Sequence, residues 1–146
     1  MEIEKFEELK DSSIGHALIK AGRLYNEFAF NLLKEALGDG DLKQSHVNLF
    51  PYIPFTGITV VNLAKKAGVS KQAISVLVNE LLDRKVLVKV DNPDDKRSFL
   101  ISFNQKKSAP IFKGMKLLKD LDYELVNLLG KAGSKTTHKS LIKIIK

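Results

Sequence analysis

The chain has 146 residues, 44% hydrophobic and 28% charged, with 24 Lys/Arg against 17 Asp/Glu. This is the composition of one globular domain (1–146), too apolar for a disordered chain and without an apolar run long enough to span a bilayer. With no cysteine, disulfides, thiolate metal sites and thiol chemistry are excluded.

The charge is unevenly placed. Residues 1–60 carry 6 Lys/Arg and 9 Asp/Glu, a net −3, and residues 61–146 carry 18 and 8, a net +10. A basic segment behind an acidic one suggests a surface facing a polyanion; a lysine-rich solubilising surface accounts for the same excess equally well. Only Arg23, Arg84 and Arg97 can offer a guanidinium for bidentate contacts. The start, Met1-Glu2-Ile3-Glu4-Lys5, is acidic and lacks the apolar stretch of a secretion signal, so a cytoplasmic protein is expected.

Residues 1–10 read as a short helical lead-in. Asp11-Ser12-Ser13 offers N-cap side chains for a long helix that ends at Gly38, in the place of a C-cap glycine. Within it Ile14, Leu18, Ala21, Tyr25, Phe28 and Leu32 are spaced 4, 3, 4, 3, 4, a heptad seam, which Leu24 and Ala29 widen toward a core stripe. Asp39-Gly40-Asp41 restarts the chain. An amphipathic helix is expected over 42–50, stopped by Pro51 and Pro54. A second short helix runs from Thr59, its cap, to Ala67, with Ile58 and Leu63 as a hydrophobic staple. Gly68-Val69 turns the chain, Ser70 caps the next helix, Val69 and Ile74 repeat the staple, and that helix reaches about Arg84.

Two strand-like runs follow, 86–90 and 99–103. In the second, Phe99, Ile101 and Phe103 alternate with Leu100 and Ser102, the period of a half-buried strand. Between them Asp91-Asn92-Pro93-Asp94-Asp95-Lys96-Arg97 is turn chemistry with a charged tip. Asn104 can cap a last long helix, firming after Pro110 and carrying Leu118, Leu121, Leu125 and Leu128 up to Gly130. Gly133-Ser134 opens a short final helix.

The steep glycine turn between two short helices is what a helix-turn-helix requires. On the second of these helices Ile74, Leu77, Val78 and Leu81 share the face to be buried. Gln72, Ser75, Val76, Asn79 and Asp83 lie opposite. Short amides and a small apolar group suit base edges: Gln or Asn pairs bidentately with adenine, and a valine methyl meets the thymine methyl. An ordinary solvated face would carry Glu and Lys. Lys71, in the first turn, suits phosphate. The charged hairpin fits a wing, with Arg97 at its base able to enter a narrow minor groove and Lys89 and Lys96 able to engage backbone. Asp95 repels phosphate, so its role is to hold Arg97 or a nearby backbone N–H; a plain surface ion pair is the alternative.

These residues resemble the MarR-type winged-helix transcriptional regulators over about 12–146. The resemblance is most specific at Gly57-Ile58-Thr59, Leu63-Ala64, Gly68-Val69-Ser70, Leu77-Val78 and Leu81, and at Pro93, Asp95 and Arg97, which match a D-P-x-D-x-R wing signature. It implies a mainly α fold with a small antiparallel β-wing: a winged helix-turn-helix over 39–104, with long N- and C-terminal dimerisation helices over 11–38 and 108–146. It also implies a homodimer on palindromic promoter DNA, usually a repressor released by a small ligand. The sequence departs from the family pattern at Lys85, where a glycine usually ends the reading helix, and at Phe103-Asn104-Gln105-Lys106-Lys107, which lacks the glycine of Leu-Thr-x-x-Gly. The final helix is short.

In that architecture Phe28, His46, Phe50 and Tyr52 are candidates for a pocket taking an aromatic carboxylate or phenol; simple packing between dimer helices and reading head is the alternative. His16, His46 and His138 have no second His at ligand spacing, so no metal site is expected. No phosphate loop, nucleophile elbow or His-Glu-x-x-His motif is present, so neither a cofactor nor an enzyme is expected. The rival reading is a winged-helix protein-interaction module, its heptad seam binding a partner chain, without specific DNA binding.

Overall fold

The computed structural model describes residues 2–37 and 42–146. Helices α1 (Glu2–Asp11) and α2 (Ile14–Leu37) meet at Ser12-Ser13. There the Ser13 hydroxyl accepts the His16 N–H at 3.3 Å, the third amide of the helix and the usual target of an N-cap. Gly38 and the expected restart at Asp39-Gly40-Asp41 lie outside the described residues. The buried stripe of α2 is not the heptad seam. Ala29 and Leu33, one turn apart, face the core, whereas Ile14, Leu18 and Phe28 are exposed.

The helix expected over 42–50 is shorter and divided. Helix α3 (Gln44–Val47) is a single turn, and a 3-10 turn covers Phe50–Tyr52. Pro51 sits inside that turn rather than ending a helix, because an opening turn needs no N–H from its first residues. Helix α4 (Val60–Ala67) is capped by the Thr59 hydroxyl, which accepts from the Asn62 N–H at 3.2 Å, and closes on left-handed Gly68. Helix α5 (Lys71–Asp83) starts at Ser70, whose hydroxyl accepts from the Ala73 N–H at 3.2 Å. These caps satisfy amides that a helix start leaves open, so two short helices persist at a sharp turn.

Strands β1 (Leu87–Asp91) and β2 (Phe99–Phe103) pair antiparallel, Leu87 opposite Phe103 and Asp91 opposite Phe99. Ile58 adds a bridge to Ile101, with N–H to carbonyl distances of 3.0 and 2.8 Å in the two directions. Gly57 makes that approach feasible: its φ is 93°, and a Cβ there would lie 2.8 Å from the Leu100 Cβ. The expected alternation along β2 holds only in part. Ser102 is buried, its hydroxyl donating to the Phe55 carbonyl at 2.8 Å, while Phe99 is exposed. Burial along β2 follows distance from the core rather than side of the strand, because the inner end is covered on both faces and the outer end projects.

Leu63, Ile74, Val78, Leu81, Leu87 and Ile101 form the centre of the core, almost wholly removed from solvent. Helix α6 (Ser108–Ile145) begins before Pro110, which occupies its first turn, and packs along α2, where Tyr25 Oη donates to Asp122 Oδ1 at 3.4 Å. It breaks at Gly130 (φ 71°, ψ 160°), where the leucine spacing ends, but the helix resumes at once rather than at Gly133-Ser134, one residue absorbing the change of direction. Among the described residues no helix is long and apolar enough to cross a membrane.

Candidate nucleic-acid interface

The burial of α5 divides it lengthwise. Ile74, Val78 and Leu81 are buried and Leu77 is half-buried, as the 3.6-residue period requires. Gln72, Val76, Asn79 and Asp83 are exposed, Val76 at 57%. Ser75 is half-buried and its hydroxyl donates back to the Lys71 carbonyl at 2.8 Å, which leaves its oxygen free only as an acceptor. Lys71 is exposed at the first position of the helix, beside its open amides.

The wing is held by its own polar side chains. Asn92 Oδ1 accepts the Asp94 N–H at 3.1 Å and Asn92 Nδ2 donates to Ser98 Oγ at 2.8 Å, closing the loop from both sides. Asp95 Oδ1 accepts the Arg97 N–H at 3.0 Å and lies 3.6 Å from Arg97 Nε. Asp95 therefore fixes the backbone from which Arg97 projects, while the guanidinium side chain is 95% exposed. Lys96 is exposed at the tip. Lys89 is placed differently from Lys96: its Nζ stands 4.3 Å from the centroid of the Phe99 ring, so the solvent-facing Phe99 orients a cation along the wing.

A cluster that the sequence reading did not anticipate flanks the exposed face. Glu80, next to Asn79, receives Lys43 Nζ at 2.8 and 2.9 Å and faces His46 Nε2 at 2.6 Å. His46 is fully buried, and its Nδ1 accepts the Lys43 N–H at 3.1 Å, just before the start of α3. An Nδ1 that accepts cannot carry the proton, so Nε2–H donates to Glu80. Lys43 first, then His46, holds the Glu80 carboxyl below the usual carboxylate range. The spacing of Lys43, His46 and Glu80 over 37 residues leaves no local pattern to find.

The four candidate pocket residues are not brought together. A cavity of about 780 Å³ lies between α2, the Phe50–Tyr52 turn and α6, lined by Tyr25, Ala29, Leu33, Phe50, Tyr52, Phe103, Met115 and Leu118 among others. Phe50 and Tyr52 belong to it. His46 does not, because its ring is spent on Lys43 and Glu80, and Phe28 points away from the core and is exposed. Tyr25, Met115 and Leu118 were missed, since only tertiary packing sets α6 beside α2. Burial, then the Asp122 carboxylate, raises the Tyr25 phenol above its ordinary value.

The MarR family profile matches residues 52–98, from the turn before α4 to the end of the wing loop, just before β2. No curated protein matches the chain in sequence. Among solved structures, a mutant MarR from E. coli complexed with operator DNA is 26% identical, covering 92% of this chain and 100% of that one at a TM-score of 0.60. The transcriptional repressor CouR bound to a 23-mer DNA duplex is 20% identical, covering 94% and 96% at a TM-score of 0.73. CouR from Rhodococcus jostii RHA1 bound to p-coumaroyl-CoA is 17% identical, covering 93% and 94% at 0.71.

Proposed function

We propose that this chain, which carries the winged-helix fold of the MarR family, is a sequence-specific DNA-binding transcriptional regulator. It acts as a homodimer on palindromic promoter DNA, as a repressor. The winged-helix region over 39–104 reads DNA, and the helices over 11–38 and 108–146 dimerise. The observation that carries the reading is the exposed, mostly uncharged face of Gln72, Val76 and Asn79, beside a wing whose Arg97 is 95% exposed. In this reading α5 enters the major groove, where Gln72, Ser75, Val76 and Asn79 meet base edges. Lys71, Lys89, Lys96 and Arg97 engage backbone or the flanking minor groove. Two such helices address half-sites about one helical turn apart, ~34–36 Å. The exposed heptad side chains Ile14, Leu18 and Phe28 support the dimer, since a face of that kind is stable against another apolar face. The cavity containing Phe50 and Tyr52 takes a small aromatic ligand that releases the DNA.

Selection of bound duplexes from a random pool, followed by salt titration of the winner against a scrambled control, tests this. An inverted repeat whose affinity falls steeply with salt is expected, because each neutralised phosphate releases counterions. No enrichment, with affinity flat in salt, would replace it by the protein-interaction module.

A further inference from the structure

We propose that His46 and Glu80 are positioning residues that set the rotation of α5 about its own axis, and through it which base sequence the chain prefers; this rests on the DNA-reading function above. On a helix advancing 100° per residue, Gln72, Val76, Asn79 and Asp83 fall within ~60° of one another, and Glu80 lies ~80° round from Gln72, on the flank. From that flank the Glu80 carboxylate reaches across to α3, where His46 Nε2 meets it at 2.6 Å. The opposite flank and back of α5 are held by Ile74, Val78 and Leu81, whose apolar contacts are non-directional. The His46–Glu80 hydrogen bond is directional, and its donor cannot swing: the ring is fully buried and its other nitrogen is fixed by the Lys43 N–H at 3.1 Å. Rotation matters at the scale of base reading. With side-chain tips ~5–6 Å from the axis, a turn of ~20° moves an amide by ~2 Å, enough to lose a bidentate base contact. Phosphate contacts tolerate such a shift, since lysine stems are long and backbone charge is continuous.

The test measures the ratio of affinities for the selected duplex and a scrambled one, with the thermal midpoint recorded for each protein. The ratio cancels the general gain in DNA affinity expected on removing a negative charge. Glu80→Ala is expected to lower the ratio ~10-fold, by misplacing Asn79 and Gln72. Glu80→Gln keeps an oxygen that accepts the Nε2–H and is expected to hold the ratio within ~2-fold; Lys43→Met leaves the His46–Glu80 bond in place and is expected to do the same. Both substituted positions are at least partly solvent-exposed, so these variants do not depend on tolerance of a change at buried His46. A wild-type ratio in Glu80→Ala, with only the midpoint lowered, would make the contact merely structural and overturn the proposal. A wild-type protein with no preference between the two duplexes would overturn the DNA-reading function beneath it, a distinguishable result.

Discussion

Asn104 Nδ2 donates to the Lys85 carbonyl at 2.9 Å, while its Oδ1 accepts the Lys106 N–H at 3.2 Å. One side chain thus ties the exit of α5 to the approach to the last helix, at the two places where the sequence lacks an expected glycine. Lys85 takes the left-handed conformation itself, at φ 61°, among the described residues the one non-glycine to do so.

A left-handed lysine costs about 1–2 kcal/mol relative to its relaxed backbone, and glycine pays about 0.5–1 kcal/mol of that back in chain entropy. Lys85→Gly is therefore expected to raise stability by about 0.5–1 kcal/mol, read as a higher urea midpoint at unchanged slope. Lys85→Val, β-branched at positive φ, is expected to lower it.

Gly57 offers the opposite case. At φ 93°, with a Cβ 2.8 Å from the Leu100 Cβ, alanine meets both backbone strain and a clash. Gly57→Ala is expected to cost about 1–3 kcal/mol. The loss should concentrate in the wing, so that amide exchange at Ile58 and Ile101, bonded to each other across the bridge, accelerates before that of α5.

Short-range chemistry was legible in the sequence. Thr59, Ser70 and Gly68 cap as read, because an N-cap hydroxyl and a C-cap glycine act within four residues. The exposed and buried sides of α5 follow from its period alone. What tertiary contact decides was not legible. The Ile58–Ile101 bridge, the Ser102–Phe55 bond and the His46–Glu80 contact join residues 43, 47 and 34 positions apart, and each places a polar group where periodicity predicts nothing or the reverse. His46, read as a pocket residue from its aromatic neighbours, is a buried polar group, and burial demanded partners that only α3 and α5 together supply.

Substitutions at Asn79 and Lys71 are expected to separate base reading from charge. Asn79→Ala is expected to cost about 1–3 kcal/mol on the selected duplex and little on a scrambled one. Lys71→Ala should weaken both alike and reduce the salt slope by about one counterion. Equal losses on both duplexes for Asn79→Ala would remove it from the base-contacting set. Arg97→Lys keeps the charge but not the planar fork, so its effect should be confined to duplexes with an A·T-rich flank.

Glu80 gives the pH dependence a sign. Its carboxyl is held below the ordinary range by Lys43 and then His46, so the folded state favours the ionised form. The resulting stabilisation is complete above the unfolded carboxyl's pKa, about 4.3, and disappears as pH falls through the lower value in the folded chain. Between pH 7 and pH 3 the thermal midpoint of the wild type should therefore fall further than that of Glu80→Gln, which has no proton to gain. The two curves should converge only below the lowered pKa of the folded carboxyl, where the wild-type side chain is also neutral. Parallel curves across the whole range would mean that the carboxylate is no better stabilised in the folded chain than in water.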